Sequence, residues 1–331
     1  MTAVDQPTGD LTLARAVPAD VTELVEVIHA AFGARPPLDP PAPALSETPE
    51  SLTALLATGG GVVARIGGEP AGVILLTPKP GDPARGVLQR VAVHPRFQRH
   101  GVASAMVAVI EPLAVELGFV RIELVARTEI TGLVEFWQHR GFVVTGPTTH
   151  LAPLSKDLPV VVTARTPEEM KELGARLAGV LRTGDLVIAH GDLGAGKTTF
   201  TQGLAAGLDV DGAIISPTFV LSRVHPSRSG GPALVHVDAY RLGSPTELDD
   251  LGLETDAAVT VVEWGVGMAE QLADDRLVVT IHRSGAPQTA SAGVHAELEA
   301  DDERTVLISG YGSRWHRDEL AAALRGSDER A

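Results

Sequence analysis

Eight consecutive residues, Gly191-Asp192-Leu193-Gly194-Ala195-Gly196-Lys197-Thr198, satisfy the pattern G-x-x-x-x-G-K-[ST] at each defined position. Together they describe a cradle for phosphate. Glycine at 191, 194 and 196 lets the backbone wrap closely, so that N–H groups and the start of the next helix point at phosphate oxygens. Lys197 adds a compact positive charge for the terminal phosphates, and the Thr198 hydroxyl suits Mg²⁺. Two acids stand where they could complete such a site: Asp238 ends the apolar run Ala233–Asp238, and Glu263 ends Val259–Glu263. In an open α/β sheet, ligands bind at that edge, and an acid there can hold Mg²⁺ or orient an attacking water. A single acid so placed is more often a helix cap or a surface charge; two beside a phosphate loop indicate a site. A further loop, Gln98-Arg99-His100-Gly101-Val102-Ala103, fits [QR]-x-x-G-x-[GA]. Its small residues would let a pyrophosphate approach the free N–H groups of a helix start.

Strands and helices are predicted around each of these stretches. Asp185–His190 reads as a short buried strand and Thr198–Leu208 as a helix, so the phosphate loop joins strand to helix. Ahead of it, Thr166-Pro167-Glu168-Glu169 announces a helix whose buried stripe is Met170, Leu173, Leu177 and Leu181. Leu277–Arg283 and Arg304–Ser309 read as late strands, separated by a small, polar stretch, Ser284–Gly293, expected to be mobile. In the first half, a loose tail of about ten residues precedes a strand at Leu11–Ala16. A helix capped by Asp20 and Glu23 follows, then a proline-rich loop at Pro36–Pro43 and a short helix at Pro49–Ala57. Gly61–Ile66 and Ala71–Leu76 form a hairpin pattern. The strand Val87–Val93 leads through the loop 96–100 into a helix from Gly101 to Leu117, interrupted at Pro112. The strand Arg121–Val125, a helix Thr131–Arg140 stopped by Gly141, and a strand at Phe142–Thr145 close the first half. Leu151–Pro159, with two prolines and a Lys-Asp pair, is expected to be a linker. Domains are therefore expected at 1–150 and 160–331, with 151–159 between them.

Composition narrows the classes. The chain has 331 residues, 44% hydrophobic and 21% charged, as for globular protein of two domains. With no cysteine, disulfides, thiolate catalysis and Cys-ligated zinc are excluded. No apolar run reaches membrane-spanning length and Met1–Asp5 is not a signal-peptide start, so the expectation is a cytoplasmic protein without a membrane partner. Residues 1–155 carry 11 Lys+Arg against 15 Asp+Glu, leaving 16 against 27 of the total net −15 to the rest. A half that acidic is a poor candidate for gripping nucleic-acid phosphates unaided.

The second half resembles the TsaE family of bacterial tRNA threonylcarbamoyladenosine synthesis. The resemblance lies in the phosphate loop continued through Thr199-Phe200, Ser216-Pro217-Thr218-Phe219 and His236-Val237-Asp238-Ala239-Tyr240-Arg241-Leu242. It continues in Glu247-Leu248, Leu251-Gly252, Glu254 and Val262-Glu263-Trp264. It implies a Mg²⁺-dependent ATPase with ATP held by Gly191 to Thr199, Lys197 and Asp238 in catalysis, and Thr198 and Glu263 as Mg²⁺ ligands. Glu263 is also counted among the catalytic residues, and Trp264 lies beside them. It further implies two protein partners, TsaB- and TsaD-like, through which tRNA is met only indirectly; Glu247–Glu254 is partner-facing or simply a solvated helix. Met170 departs from the small hydroxyl residue usual near the adenine, and 284–303 is longer than the usual pattern.

The first half resembles the GCN5-related N-acetyltransferase (GNAT) family over about 11–147, through Gln98–Ala103 and Glu135-Phe136-Trp137-Gln138-His139-Arg140-Gly141-Phe142. That resemblance implies acetyl-CoA along Val91, Ala92 and Val93 and the loop Gln98, Arg99, His100, Gly101, Val102 and Ala103, with an amine acceptor that the residues do not identify. Trp137 stands where relatives carry a proton-donating Tyr, and indole N–H has no useful acidity. Gln89 replaces a frequent Glu near the acceptor, and Glu123 and His139 remain as acid–base candidates or structural residues. The expected fold is α/β: a GNAT-like mixed α/β sheet domain followed by a P-loop NTPase-like α/β domain. Competing functions are a small-molecule kinase, or a nucleotide-dependent scaffold with a non-catalytic acetyl-CoA module. Arg314 and Arg317 are the one basic pair a kinase lid could draw on in the late segment.

Overall fold

In the computed structural model the chain divides into two compact units, Met1–Leu158 and Pro159–Ala331. The structure describes residues 10–35, 41–253, 255–283 and 303–326. The expected loose tail, most of the proline-rich loop, Glu254 and the small polar stretch 284–293 lie outside the described residues.

In the first unit, β1 (Leu11–Arg15), α1 (Val21–Gly33) and α2 (Pro49–Thr58) precede three long strands, β2 (Gly60–Ile66), β3 (Glu69–Lys79) and β4 (Asp82–Val93). Then come α3 (Val102–Glu116), β5 (Arg121–Arg127), α4 (Leu133–Gln138), β6 (Val143–Val144) and β7 (Leu151–Asp157). The strands form one sheet in the order β1-β2-β3-β4-β5-β7-β6. One face carries α1 and α2 through Leu24, Val27, Ile28 and Leu52 against Val63, Val73 and Leu75. The other carries α3 through Met106, Val107 and Ile110 against Ile74, Leu76 and Ile122. Pairing of β4 with β5 is parallel and spans only Arg85–Val87 against Arg121–Glu123. Beyond Val87 this pairing stops, while β4 keeps its register with β3 after a bulge and β5 keeps its own with β7. Arg90 sits in that bulge at φ 51°, a region a side chain enters only where neighbouring structure enforces it.

The stretch expected as a linker is a strand. β7 lies between β5 and β6, with Ala152 and Leu154 fully or almost fully buried. Two prolines suggested a loop, yet alternation of Ala152 and Leu154 with less buried neighbours is the stronger signal. Asp20 also differs from expectation: it makes no side-chain cap to α1, and instead accepts from Val17 N–H at 2.8 Å and Arg65 at 2.9 Å.

The second unit runs β8 (Val160–Ala164), α5 (Pro167–Ala178), β9 (Leu186–His190), α6 (Lys197–Gly207), β10 (Ser222–His225) and β11 (Ala233–Asp238). It continues with α7 (Pro245–Asp249), β12 (Ala258–Glu263), β13 (Arg276–Arg283), β14 (Arg304–Tyr311) and α8 (Arg317–Leu324). The sheet order is β10-β11-β12-β9-β13-β14-β8, with β11, β12, β9 and β13 mutually parallel at its centre. α5, α6 and α8 cover one face. The Thr166 hydroxyl caps α5 by accepting from Glu169 N–H at 3.1 Å. α5 and α6 meet backbone to backbone: a Cβ on Gly203 would lie 1.9 Å from the Lys171 carbonyl, and one on Gly174 2.3 Å from that of Phe200. That contact fixes α6, and with it the loop that opens α6, against the sheet. Among the described residues no helix is long and apolar enough to cross a membrane.

Candidate functional site

The phosphate loop leaves β9 and enters α6 through three glycines at positive φ: 144° at Gly191, 75° at Gly194 and 111° at Gly196. At Gly191 a side chain is excluded twice over, since a Cβ would also lie 2.5 Å from the Ile281 carbonyl on β13. Lys197, at the start of α6, is 5% exposed and donates to the carbonyls of Gly191 at 2.7 Å and Asp192 at 2.9 Å. Its ammonium lies 3.6 Å from the centre of the Trp264 ring. Burial lowers the Lys197 pKa, against the opposing pull of Glu263, Asp238 and Asp192. Trp264 follows β12 at φ 62°, donates its backbone N–H to the Ala189 carbonyl at 2.9 Å, and meets Tyr240 at 5.1 Å between ring centres.

Strand register brings the two acids to the loop. Asp238 on β11 is paired with Glu263 on β12, and Glu263 in turn with Ala189 on β9, two residues before Gly191. Both carboxylates are buried. Thr198 donates to Glu263 Oε2 at 2.9 Å, and His236 Nε2 lies 2.8 Å from Oε1. Asp238 Oδ2 accepts from Ser216 at 2.5 Å and Thr218 at 2.6 Å, and Oδ1 accepts from Tyr240 N–H at 3.0 Å. Burial alone would raise the Asp238 pKa; the hydrogen bonds from Ser216, Thr218 and Tyr240 outweigh it, so the group sits below its ordinary value. An uncharged hydroxyl beside a carboxylate at the mouth of a phosphate cradle is a hard-oxygen set that fits Mg²⁺.

Among the late basic residues, Arg304 on β14 donates to the loop's Ala195 carbonyl at 3.2 Å. Arg314 binds Asp185 at 3.0 Å and the Val180 carbonyl at 2.8 Å, before the start of β9 and so at the opposite end from the loop. Arg241 lies over the exposed Phe219 ring at 4.6 Å.

In the first unit, Val91, Ala92 and Val93 occupy the part of β4 beyond its pairing with β5. Gln98, Arg99 and His100 are exposed before α3, with Arg99 at φ 67° and Gly101 at φ 74°. Ala92 and Val102 are core residues at 1% and 2% exposure, so they can offer a ligand only their backbone. The free strand edge and the helix start suit a pantetheine amide and a pyrophosphate. Trp137 is buried, edge-on to Phe136 at 5.2 Å and Phe142 at 5.0 Å, as a packing residue. Glu123 is held by Lys79 at 2.6 Å and Arg85 at 2.9 Å, and Gln89 donates to Thr77 at 2.5 Å.

The family described as threonylcarbamoyl adenosine biosynthesis protein TsaE matches residues 164–290, and the acetyltransferase (GNAT) family matches residues 25–142. The second unit is 52% identical over 149 residues to the TsaE protein of Streptomyces coelicolor, covering 44% of this chain and 93% of that one. The chain belongs to the TsaE family, with a GNAT domain fused ahead of it. The TsaE protein of Mycobacterium leprae is 50% identical over 125 residues, 35% of this chain and 78% of that one. That of Bacillus subtilis is 36% identical over 152 residues, 45% and 84% respectively. Within this TsaE unit, the loop, Thr198, Glu263 and Asp238 meet at one sheet edge. Reading the strand ends alone missed Ser216, Thr218 and His236 as working groups. His236 had a signal: it occupies an inward position of a strand otherwise filled by Leu234, Val235 and Val237. Ser216 and Thr218 had none beyond their place in a family block, because a loop of short polar residues has many uses.

Proposed function

We propose that the TsaE unit binds ATP with Mg²⁺ and hydrolyses it in tRNA threonylcarbamoyladenosine synthesis, and that the GNAT unit binds acetyl-CoA. The observation that carries the first reading is the 2.9 Å contact of Thr198 with Glu263 at the end of a phosphate loop whose Lys197 is aimed into the same cradle. Gly191 to Thr199 would surround the phosphates, with Lys197 against the terminal ones. Thr198 and Glu263 would hold the cation, which when bound neutralises charge developing on the phosphate oxygens. Asp238, kept ionised by its hydroxyl donors, would orient the attacking water. TsaB- and TsaD-like proteins would be the partners that handle tRNA, in keeping with the acidity of this half of the chain.

A kinase reading has little support, since Arg314 is committed far from the loop. A scaffold that needs no turnover is distinguished by phosphate release: steady release in the presence of the partners supports an ATPase, and nucleotide-dependent assembly without release supports a scaffold.

For the GNAT unit, Val91 to Val93 and Gln98 to Ala103 would take the pantetheine and pyrophosphate of acetyl-CoA. The burial of Trp137 and the ion pairs of Glu123 leave neither as a ready proton donor or base, which supports slow acetyl transfer to ordinary amines. Calorimetric titration with acetyl-CoA, alongside thiol release in the presence of an amine panel, tests both halves of that statement.

A further inference from the structure

His236 is 0% exposed on β11, two residues before Asp238 and therefore on the same face of the strand. That face is the one covered by α6: Leu234 on β11 and Val259 and Val261 on β12 join the core beneath α5 and α6. An imidazole in this apolar row is costly unless its polar atoms are used. Nε2 is used, 2.8 Å from Glu263 Oε1, while Nδ1 has no hydrogen-bond partner among the described residues. Among the described residues, the imidazole's hydrogen bonding is thus directed wholly at Glu263.

Glu263 is held at both oxygens. Oε2 accepts from Thr198 at 2.9 Å. At Oε1, Thr201 is also within 3.3 Å, but its one hydroxyl proton has a shorter alternative in the Lys197 carbonyl at 3.0 Å. His236 Nε2–H is therefore the fixed donor to Oε1. We propose that His236 is a positioning residue for the divalent cation: by anchoring Glu263 Oε1 from behind, it turns Oε2 toward Thr198 and the phosphate loop. This inference rests on the preceding reading of Thr198 and Glu263 as cation ligands. Groups that orient a metal-binding side chain from behind typically change metal affinity by about 10–100-fold when removed.

The test uses the full chain with a non-hydrolysable ATP analogue, titrated by calorimetry in EDTA and again across a range of Mg²⁺ concentrations. Mn²⁺ binding to the nucleotide complex, followed by electron paramagnetic resonance, gives a second readout independent of turnover. His236→Leu removes the donor. His236→Gln keeps an N–H near the position of Nε2, whereas His236→Asn carries one too short to reach Glu263. Expected for Leu and Asn is analogue affinity in EDTA within about twofold of wild type and a cation requirement raised at least about tenfold. Gln should restore the requirement to within about threefold of wild type. If Leu is unfolded by circular dichroism, the contrast between Gln and Asn decides alone. An unchanged cation requirement in the folded variants would overturn the inference, as would equal requirements for Gln and Asn. So would affinity lost equally with and without the cation. Wild-type binding that is indifferent to Mg²⁺ and Mn²⁺ would instead overturn the assignment of the cation site itself.

Discussion

Lys197 is the side chain on which nucleotide binding should depend most. It is poised on two loop carbonyls and the Trp264 ring, contacts that a phosphate would replace. Charged hydrogen bonds are worth about 1.5–3 kcal/mol each. Lys197→Ala is therefore expected to weaken ATP roughly ten- to hundredfold or more by calorimetry; unchanged affinity would remove the loop from the account. Glu263→Ala should behave differently, lowering Mg²⁺-dependent turnover at least about tenfold more than it lowers ATP affinity, because the loop amides and Lys197 still hold the phosphates. Asp238 gives a pH prediction. Its folded pKa lies below the ordinary carboxylate value, so the stability it contributes is fully present above about pH 4 and is lost as pH falls through the depressed pKa. Asp238→Ala should cost about 1–3 kcal/mol in denaturant titrations at pH 7, with the difference from wild type shrinking toward pH 3. A difference that stays constant over that range would show that Asp238 is not held as an ionised acceptor by Ser216 and Thr218.

Helix α6 buries Phe200 and Leu204 in the core, and its close approach to α5 depends on glycine. The Cβ of Ala at 203 would lie 1.9 Å from the Lys171 carbonyl, and no rotamer relieves a clash between backbones. Gly203→Ala is expected to cost at least about 1–3 kcal/mol, the usual scale for overpacking, and to weaken nucleotide as α6 shifts. Thermal unfolding and calorimetry on the same sample check both. Legibility in the sequence follows the same logic. The phosphate loop, the strands ending on Asp238 and Glu263, and the Thr166 cap were readable because each depends on a local pattern. The alignment of Asp238 with Glu263 across two strands is a matter of register, and the donors Ser216, Thr218 and His236 depend on contacts 22, 20 and 27 residues apart. No window of sequence contains such contacts. β7 reads as a linker in the sequence because of Pro153 and the nearby Pro159, yet Pro153 fits opposite Val125 of β5, which only the sheet reveals. A fragment ending at 150 would lack this interior strand. It should fail to fold by circular dichroism where one ending at 158 succeeds, and a cooperatively folded 1–150 would contradict the sheet order.

Each unit has its own sheet and its own cores, so a fragment beginning at Pro159 is expected to fold and bind ATP. The full chain places a GNAT unit and a TsaE unit in fixed stoichiometry. ATP hydrolysis by the isolated chain is expected to be slow. Lys197, Thr198, Asp238 and Glu263 assemble at the loop, but Arg314 is engaged elsewhere and Arg241 lies over Phe219. Completion of a phosphate-loop site by a partner accelerates turnover by roughly 10³–10⁵ in known cases. The most direct measurement is a reconstitution of purified chain with TsaB- and TsaD-like proteins, tRNA, threonylcarbamoyl-adenylate, ATP and Mg²⁺, with the modified nucleoside counted by mass spectrometry. Repeated rounds of modification should require the chain and ATP, and should be lost with Lys197→Ala while the GNAT unit remains folded. Modification that proceeds equally without the chain, or equally with Lys197→Ala, would contradict the assignment.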